Sequence, residues 1–295
     1  MNHMKKVLIT GANSYVGTNV ERWLLKENEI EKKYCVDTLD MLNAEWKKKD
    51  FSEYDVIFHV AGIAHADVGS VSQERQQLYY DVNTKLTIDV ANKAKAEGVR
   101  QFIFMSSMIV YGGCKEKIIT KETEPIPANF YGDSKWQADK YLQTMNTDVF
   151  RVVIVRPPMI YGAGSKGNYP ELVKLATKLP VFPKVKNSRS MLYIDNLCQF
   201  IKLMIDNEEK GVFFPQNAEY TVTSEMVKMI ADAKGHKIIL IPGLGWLVKL
   251  MTKVPGKVGG LALKAFGNLT YDMTMSMYKD NYNVCSFNSS IEMSD

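Results

Sequence analysis

The hydrophobic pattern of the first half of the chain alternates between short apolar runs and longer segments with helical spacing. The apolar runs predict strands at residues 6–10, 34–39, 56–60, 102–105 and 150–155. Apolar residues spaced three or four apart predict helices at 16–26, 82–97 and 131–145. Strands that are apolar throughout and separated by helices are typical of a parallel sheet covered on both faces. The pattern therefore predicts an α/β fold with a doubly wound parallel sheet.

The pattern changes after Pro157. Glycine, proline and asparagine interrupt residues 162–190, and the later elements are shorter and more mixed. We therefore predict a division into a sheet domain at 1–160 and a smaller C-terminal lobe at 161–295, with some elements of the lobe returning to the sheet.

Composition and charge narrow the possible classes of partner. The chain has 37 basic and 33 acidic residues, and no basic and aromatic stripe of the kind that binds nucleic acid is evident. The lysines at 47–49 are interpreted as a solvated helix face. Four scattered cysteines predict reduced thiols in a cytoplasmic protein, with neither a metal site nor a disulfide framework: Cys35, Cys114, Cys198 and Cys285.

Membrane insertion is not predicted. The most apolar late stretch, 238–250, is interrupted by Pro242, Gly243, Gly245 and Lys249, whereas a spanning helix needs about 20 continuous apolar residues. No secretory signal is visible at the N-terminus. An amphipathic membrane contact of 238–263 stays open as an alternative, although packing of this segment against the core is the simpler interpretation.

A glycine turn follows the first predicted strand. Gly11 allows a tight turn, and Gly17 allows the first helix to approach the strand closely. The backbone between them, with Tyr15 and Val16 at the start of the helix, presents N–H groups to an anion. Ser14 replaces the middle glycine of the usual pattern and is also a good helix cap. This arrangement predicts a dinucleotide pyrophosphate site.

An acidic residue after the second strand is the usual companion of such a turn, because it hydrogen-bonds the adenosine ribose. Asp37 and Asp40 are both candidates. A carboxylate at this place favours NAD, since it repels the 2′-phosphate of NADP. The connection to Val56 is short, so both aspartates and both cofactors stay open.

Tyr131 and Lys135 lie one helical turn apart and predict a proton-transfer site. A tyrosine, with an ordinary pKa near 10, becomes an effective base only when a nearby cation stabilises its phenolate. Lys135 supplies that charge and can reach the ribose of a cofactor. Ser107, just after the strand at 102–105, supplies a hydroxyl for the substrate oxygen. These residues predict hydride transfer between an alcohol and a carbonyl.

The chain resembles the extended short-chain dehydrogenase/reductases, and among them the nucleotide-sugar epimerase/dehydratase family, which has a Rossmann-type sheet and a substrate lobe. Five motifs in family order carry the resemblance: Thr10-Gly-x₅-Gly17, Ser106-Ser-Met-Ile-Val-Tyr-Gly112, Tyr131-x₃-Lys135, Arg156-Pro-Pro-Met-Ile-Tyr-Gly162 and Arg189-Ser-Met-Leu-Tyr-Ile-Asp195.

The resemblance implies a role for individual residues. It implies catalysis by Ser107, Tyr131 and Lys135, with the last two also at the cofactor. Beside the cofactor it places five further residues: Ala61, Gly62, Asn83, Ser106 and Pro158. Around the substrate it places Met108, Asn168 and Arg189. Tyr193 departs from the family, where histidine is common, and is interpreted as a packing change.

Three reactions share this scaffold. A 4,6-dehydratase is expected to carry an Asp-Glu pair directly after the active-site hydroxyl residue, whereas Met108 and Ile109 stand there and transfer no proton. Epimerisation and reduction of a 4-keto sugar remain, and Ser107, Tyr131 and Lys135 serve both equally. The segment 156–196 resembles 4-epimerases and 4-ketoreductases of bacterial surface-polysaccharide pathways, and this resemblance implies an NAD(P)-dependent 4-epimerase of the UDP-glucose or UDP-N-acetylglucosamine type. The alternative is an NAD(P)H-dependent 4-ketoreductase of a UDP- or dTDP-keto-deoxysugar. A non-catalytic NAD(P) sensor is less favoured, because the catalytic set is complete. By analogy with the family, a homodimer through the helices at 82–97 and 131–145 is possible.

Overall fold

The computed structural model describes residues 4–28, 32–64, 71–244 and 266–294. The strands are β1 Lys5–Thr10, β2 Tyr34–Leu39, β3 Val56–His59, β4 Gln101–Met105, β5 Ile118–Ile119, β6 Arg151–Val155, β7 Met159–Tyr161, β8 Val181–Pro183, β9 Met191–Tyr193, β10 Gly211–Phe213, β11 Ile239–Ile241 and β12 Thr270–Tyr271. The α-helices are α1 Tyr15–Glu27, α2 Gln73–Tyr79, α3 Thr87–Ala96, α4 Phe130–Met145, α5 Asn168–Lys178, α6 Ile194–Asp206, α7 Thr223–Ala233 and α8 Phe287–Glu292. A π-helical segment, Tyr80–Leu86, joins α2 to α3, and 3₁₀ turns cover Ala44–Lys48, Met108–Tyr111 and Met273–Ser276.

The main sheet contains six strands in the order β2-β1-β3-β4-β6-β10, and every neighbouring pair is parallel. The chain moves outward from β1 to β2 and then returns past β1 to β3. This reversal creates a crevice at the carboxyl ends of β1 and β3, where ligands bind in open α/β sheets. The predicted fold class is confirmed.

Alternate residues of the strands pack into separate cores on the two faces of the sheet. On one face, Val7 and Ile9 pack with α1 and α6. On the other face, Leu8 and Ile57 pack with α3 and α4. Because both faces are covered, the strands are apolar throughout, which is why the runs were readable in the sequence.

Most predicted elements of the sheet domain match the structure within one or two residues. The exceptions are at α2, which the pattern did not predict, and at the predicted helix 82–97, where a π-helical segment runs into α3. From the second half, β10 joins the main sheet and α6 packs on it, as expected for returning elements. The division at residue 160 stays a prediction.

Within the residues that the structure describes, no helix combines the length and the apolar character needed to cross a membrane. Most of the proposed amphipathic segment, 245–263, lies outside the described residues, and only its beginning, which includes β11, is described.

Candidate active site

The glycine turn sits at the crevice between β1 and β3. Gly11 has φ +104°, and a Cβ added there would lie 2.8 Å from the backbone nitrogen of Ala61. A Cβ on Gly17 would lie 2.6 Å from the Ser14 Oγ and 3.2 Å from Val60. Both positions therefore require glycine, one for its backbone conformation and both for close packing. The turn also places Ala61 beside Gly11.

Ser14 is the N-cap of α1, and its Oγ accepts a hydrogen bond from the backbone N–H of Gly17 at 3.1 Å. The serine side chain therefore faces its own helix rather than the crevice. Tyr15 and Val16 form the first turn of α1, where N–H groups have no carbonyl partner within the helix. The α1 N-terminus contains no acidic residue in its first turn, so it favours an anion.

The structure separates the two candidate aspartates. Asp37 lies level with Leu8, inside β2, and its carboxylate accepts a hydrogen bond from the Tyr54 hydroxyl at 2.5 Å. Asp40 comes directly after β2, whose last carbonyl accepts from the backbone N–H of Gly11 at 2.9 Å. Of the two, only Asp40 follows the end of β2 at the carboxyl edge beside the glycine turn, whereas the Asp37 carboxylate is bonded to Tyr54 within the strand.

The segment after β4 carries two serines with different surroundings. Ser106 is buried, and its hydroxyl donates to the Asp139 carboxylate at 2.6 Å. Ser107 is partly exposed and caps the 3₁₀ turn that contains Met108. The backbone N–H of Met108 donates to the Pro157 carbonyl at 2.8 Å, which brings the chain just before Pro158 against this turn. Ser107 is thus the hydroxyl left available to a ligand.

Tyr131 lies in the first turn of α4, which packs tightly against the 3₁₀ turn that Ser107 caps. A Cβ on Gly132 would lie 2.8 Å from the Ile109 carbonyl oxygen, so glycine allows this close approach. Burial raises the pKa of Tyr131 to about 12, although a hydrogen bond with Ser107 acts in the opposite direction. The phenol is therefore protonated in the ligand-free protein at neutral pH.

Lys135 is buried one turn further along α4. Its Nζ donates to the Met105 carbonyl at 3.0 Å and lies 4.9 Å from the centre of the Phe104 ring. Burial lowers the pKa of Lys135 to about 8, while the charge of Asp139 raises it. The ammonium is held at the carboxyl end of β4 with a backbone carbonyl as its partner, so its charge is poorly compensated.

Asn83 fastens α4 to the turn after β3. Its amide oxygen accepts from the backbone N–H of Ile63 at 2.8 Å, and its amide nitrogen donates to the Ile63 carbonyl and to the Ser134 hydroxyl. A Cβ on Gly62 would lie 2.9 Å from both Asn83 Oδ1 and Lys135 Nζ. The missing side chain leaves room at the point where these residues converge. Asn83 lies in the π-helical segment, a feature often found at functional sites.

Two of the residues expected at the substrate, Asn168 and Arg189, lie in the second half of the chain, whereas the third, Met108, lies in the 3₁₀ turn after β4. Asn168 begins α5, immediately after Gly167, which has φ +97°. Arg189 is anchored by backbone bridges to Thr221 and Leu269. Burial lowers the pKa of Arg189 to about 10, and no described residue forms a hydrogen bond or ion pair with its guanidinium. A desolvated guanidinium without a counter-charge is suited to an anionic ligand.

Tyr193, the departure from the family, is buried against Tyr161 with ring centres 5.6 Å apart.

Sequence reasoning missed the role of one buried ion pair behind the catalytic helix. Asp139 accepts two hydrogen bonds of 2.8 Å from Arg156, whose guanidinium also donates to the Tyr111 hydroxyl at 2.6 Å. The rings of Trp136 and Phe214 lie 5.3 and 5.7 Å from the guanidinium carbon. The sequence did contain a signal for Asp139. Tyr131, Lys135 and Asp139 are spaced four residues apart, which places them on the same face of a helix.

The site therefore brings the glycine turn, Gly62, Asn83, Ser107, Tyr131 and Lys135 to the carboxyl edge of the sheet. Among the residues described, no group of three or more histidine, cysteine or acidic side chains is arranged to hold a metal ion. The cradle that the glycines form fits a dinucleotide, and the neighbouring phenol and amine fit proton transfer.

Known proteins are similar to this chain over most of its length. The model of the NAD dependent epimerase/dehydratase family matches residues 7–214. UDP-glucose 4-epimerase of Vibrio cholerae is 34% identical over 276 residues, which cover 86% of this chain and 83% of that protein. N-acetyl-α-D-glucosaminyl-diphospho-ditrans,octacis-undecaprenol 4-epimerase of Escherichia coli O157:H7 is 26% identical and covers 88% of this chain and 85% of that protein.

A solved structure supports the same fold at lower identity. UDP-glucuronic acid 4-epimerase from Bacillus cereus, in complex with NAD, superposes with a TM-score of 0.71 and 19% identity. The match covers 98% of this chain and 95% of that chain. The sheet and the lobe are thus arranged as in that structure.

Proposed function

Because the chain belongs to the NAD-dependent epimerase/dehydratase family, we propose that it is a 4-epimerase of a sugar linked to a diphosphate, with a UDP-sugar as the first substrate to test. The observation that carries the proposal is the placement of Lys135. Its buried amine lies at the carboxyl end of β4, one turn from Tyr131 and beside the space left by Gly62. The similarity to a 4-epimerase over 86% of the chain selects the reaction.

Tyr131 is the proposed base and acid. NAD held by the glycine turn and Asp40 would supply the acceptor and donor of a hydride at C4 of the sugar. The Tyr131 oxygen takes the proton from O4 as the carbonyl forms and gives it back to O4 after the keto sugar has turned. With a phenol pKa of about 12, this requires a nearby positive charge, which Lys135 supplies. The Ser107 hydroxyl donates to O4 and holds it beside the phenol.

The cofactor is proposed to be NAD, with NADP as the alternative. The N-terminus of α1 and the glycine turn hold the pyrophosphate, and Asp40 accepts a hydrogen bond from the adenosine ribose. The proposed set also includes the residues of the glycine turn and those that the resemblance implied: Gly11, Ser14, Tyr15, Val16 and Gly17 from the turn, and Ala61, Gly62, Asn83, Ser106 and Pro158 from the resemblance. Ser14 contributes through its backbone, because its side chain caps the helix.

Arg189 and Asn168 are the proposed contacts of the substrate diphosphate. Arg189 is desolvated and lacks a described counter-charge, and a bidentate diphosphate contact would supply one. The relatives in V. cholerae and E. coli differ in the group attached to the sugar diphosphate, which is a nucleoside in one and a prenol in the other. The diphosphate is therefore the shared chemistry, and a lobe that binds it serves either substrate.

The experiment is product analysis with UDP-glucose and UDP-N-acetylglucosamine, without added cofactor, for the wild type and Tyr131→Phe. We expect the wild type to form the 4-epimer, and the variant to lose activity about 100- to 10,000-fold while still binding NAD. Tyr141→Phe is the matched control, since Tyr141 is a half-exposed tyrosine of the same helix. Full activity of Tyr131→Phe contradicts the proposed mechanism.

The same assay separates the alternatives. Release of a reduced 4-hydroxy sugar with consumption of NAD(P)H, and no epimer, identifies a 4-ketoreductase. Binding of NAD(P) with no turnover of any sugar supports the sensor. Asp40→Ala is expected to weaken NAD binding about tenfold and to reduce discrimination against NADP, whereas Asp37→Ala is not.

Location and assembly belong to the same proposal. All four cysteines are free, which fits a reducing cytoplasm. A homodimer through α3 and α4 follows the family analogy, and Tyr141 on α4 is 39% exposed. A molar mass measured by light scattering tests it, because Tyr141→Glu is expected to shift a dimer to monomers.

A further inference from the structure

Two stretches in the second half of the chain are basic and contain no acidic residue. Residues 172–194 and 233–271 contain eleven lysines and arginines and no aspartate or glutamate. The remaining 26 basic residues are outnumbered by 33 acidic ones. The near balance of the whole chain therefore conceals a basic part and an acidic part, and such asymmetry points to an anionic partner.

The fold brings these two acid-free stretches together. β8 from the first stretch pairs in parallel with β11 from the second, with Val181 opposite Ile239. Further along, the backbone N–H of Ser190 donates to the Leu269 carbonyl at 3.2 Å. In the part of the chain that is described, the lysines that flank β8 and β11 therefore lie in segments that this strand pairing brings together.

The β8–β11 pair forms the centre of this surface. Val181 is 44% exposed and Ile239 is 66% exposed, although both are aliphatic strand residues. Exposed lysines lie before and after the two strands in the chain. We name this set of residues the lysine face: Lys178, Val181, Lys184, Lys186, Lys237 and Ile239.

The acids at the ends of the two stretches do not neutralise this face. Glu171 is paired with Lys174 at 2.7 Å, and Asp232 is paired with Lys228 at 2.9 Å, in each case within one helix. In the part of the chain that is described, no ion pair involves Lys178, Lys184, Lys186 or Lys237. Their charges are therefore available to an external anion.

We propose that the lysine face docks on the surface of an anionic lipid bilayer. Exposed aliphatic side chains enter the headgroup boundary, and surrounding lysines contact acidic headgroups. A nucleic acid fits less well, since it favours arginines and stacking aromatic rings, and the lysine face contains neither. The proposal concerns a surface distinct from the catalytic set and holds whichever sugar the enzyme epimerises.

The test is co-sedimentation with vesicles of phosphatidylcholine alone and of phosphatidylcholine mixed with phosphatidylglycerol. We expect binding only to the mixed vesicles, with a decrease as salt is added. Replacing Lys184, Lys186 and Lys237 by glutamine is expected to lower the partition coefficient about 100-fold, at about fivefold for each lysine. A matched variant replaces Lys47, Lys48 and Lys140, which are exposed elsewhere.

Several outcomes overturn the proposal. It fails if the wild type does not bind mixed vesicles, or if both triple variants lose binding equally. It also fails if the lysine-face variant loses only kcat/KM for a water-soluble UDP-sugar in a salt-dependent way, because the lysines then steer the substrate. Tighter binding of a single-stranded oligonucleotide than of vesicles assigns the face to nucleic acid. Because vesicle binding is measured without turnover, its result is independent of the epimerase assay.

Discussion

The buried cations Lys135, on helix α4, and Arg156, which packs against α4, have opposite electrostatic surroundings. Burial opposes the charge of Arg156, but hydrogen bonds and the charge of Asp139 raise its pKa above the ordinary range. Lys135, one turn before Asp139, has a backbone carbonyl as its hydrogen-bond partner, and burial lowers its pKa to about 8. The compensated cation, Arg156, lies just after β6 and bonds across to α4, whereas the uncompensated cation, Lys135, lies on α4 itself.

The difference separates a buried charge that positions the helix from one that we propose to serve chemistry. Asp139 and Arg156 join α4 to the ends of β4 and β6, through Ser106 and through the backbone of Arg156. Their charges are already satisfied, so they position the helix without needing a ligand. Lys135 and Arg189 lack a nearby counter-charge, so a phenolate or a bound anion would stabilise the charged form of each. An uncompensated buried charge costs stability and indicates a functional site.

The largest expected effect comes from breaking the compensated pair. Asp139→Ala leaves the Arg156 guanidinium buried without its carboxylate, and we expect a loss of about 3–5 kcal/mol in the free energy of unfolding. Urea unfolding monitored by circular dichroism measures it. The double variant Asp139→Leu with Arg156→Met removes both charges and is expected to recover most of the loss. If it is no more stable than Asp139→Ala, the loss comes from packing rather than from an orphaned charge.

Arg189 tests the same comparison by ligand binding. For Arg189→Ala we expect KM for the sugar diphosphate to rise about 10- to 100-fold with a smaller change in kcat. Because the guanidinium has no described partner, its removal should leave the stability of the ligand-free protein unchanged or slightly higher. Arg100→Ala, at an exposed arginine outside the site, is the control. A large loss of stability in Arg189→Ala would instead place this residue with Arg156.

Sequence alone predicted the sheet well, because strands covered on both faces are apolar throughout and the helices between them keep a clear spacing. It also placed Ser107 after β4, and Tyr131 and Lys135 on α4, where the structure has them, and their catalytic role stays a prediction. It did not distinguish Asp37 from Asp40, since their difference depends on the register of β2 against β1. It did not find the Asp139–Arg156 pair, because the partners are brought together by the packing of α4 against β6. The gathering of lysines on β8 and β11 depends likewise on a pairing between distant segments.

Replacing Lys135 is expected to change the free energy of unfolding in the opposite direction from replacing Asp139. Burial lowers the pKa of Lys135 from about 10.5, its ordinary value, to about 8 in the folded protein. At pH 7 Lys135 is protonated in both the folded and the unfolded protein, but the folded protein binds this proton less tightly. Lys135→Met is therefore expected to raise the free energy of unfolding by roughly 1–3 kcal/mol while activity is lost. From pH 8 to 10 the wild type should regain stability relative to the variant. Lys140→Met, at an exposed lysine of the same helix, should change stability by less than about 0.5 kcal/mol.

His59 adds to the comparison a buried base that is neutral in the folded protein. It is fully buried in β3, with one ring nitrogen 2.6 Å from the Thr10 hydroxyl and the other 3.0 Å from the Thr87 hydroxyl. Burial lowers its pKa to about 3, and the nearby charge of Lys135 acts in the same direction. The folded protein therefore keeps His59 neutral, and its two hydrogen bonds connect the glycine turn to α3.

The smallest predicted effect results from this neutral state. The unfolded chain binds a proton at His59 as the pH falls below about 6.5, whereas the folded protein does not until about pH 3. The contribution of neutral His59 to the free energy of unfolding is complete above pH 6.5. It decreases as the pH falls, and at pH 5.5 the free energy of unfolding is lower by about 1.4 kcal/mol. His59→Gln keeps groups that bond both threonines without titrating, so its stability should fall less between pH 8 and 5.5. His236→Gln, at a partly exposed histidine, is the control for removal of an imidazole. If His59→Gln and the wild type lose stability in parallel, His59 is charged in the folded protein, and burial alone does not decide which base is neutral.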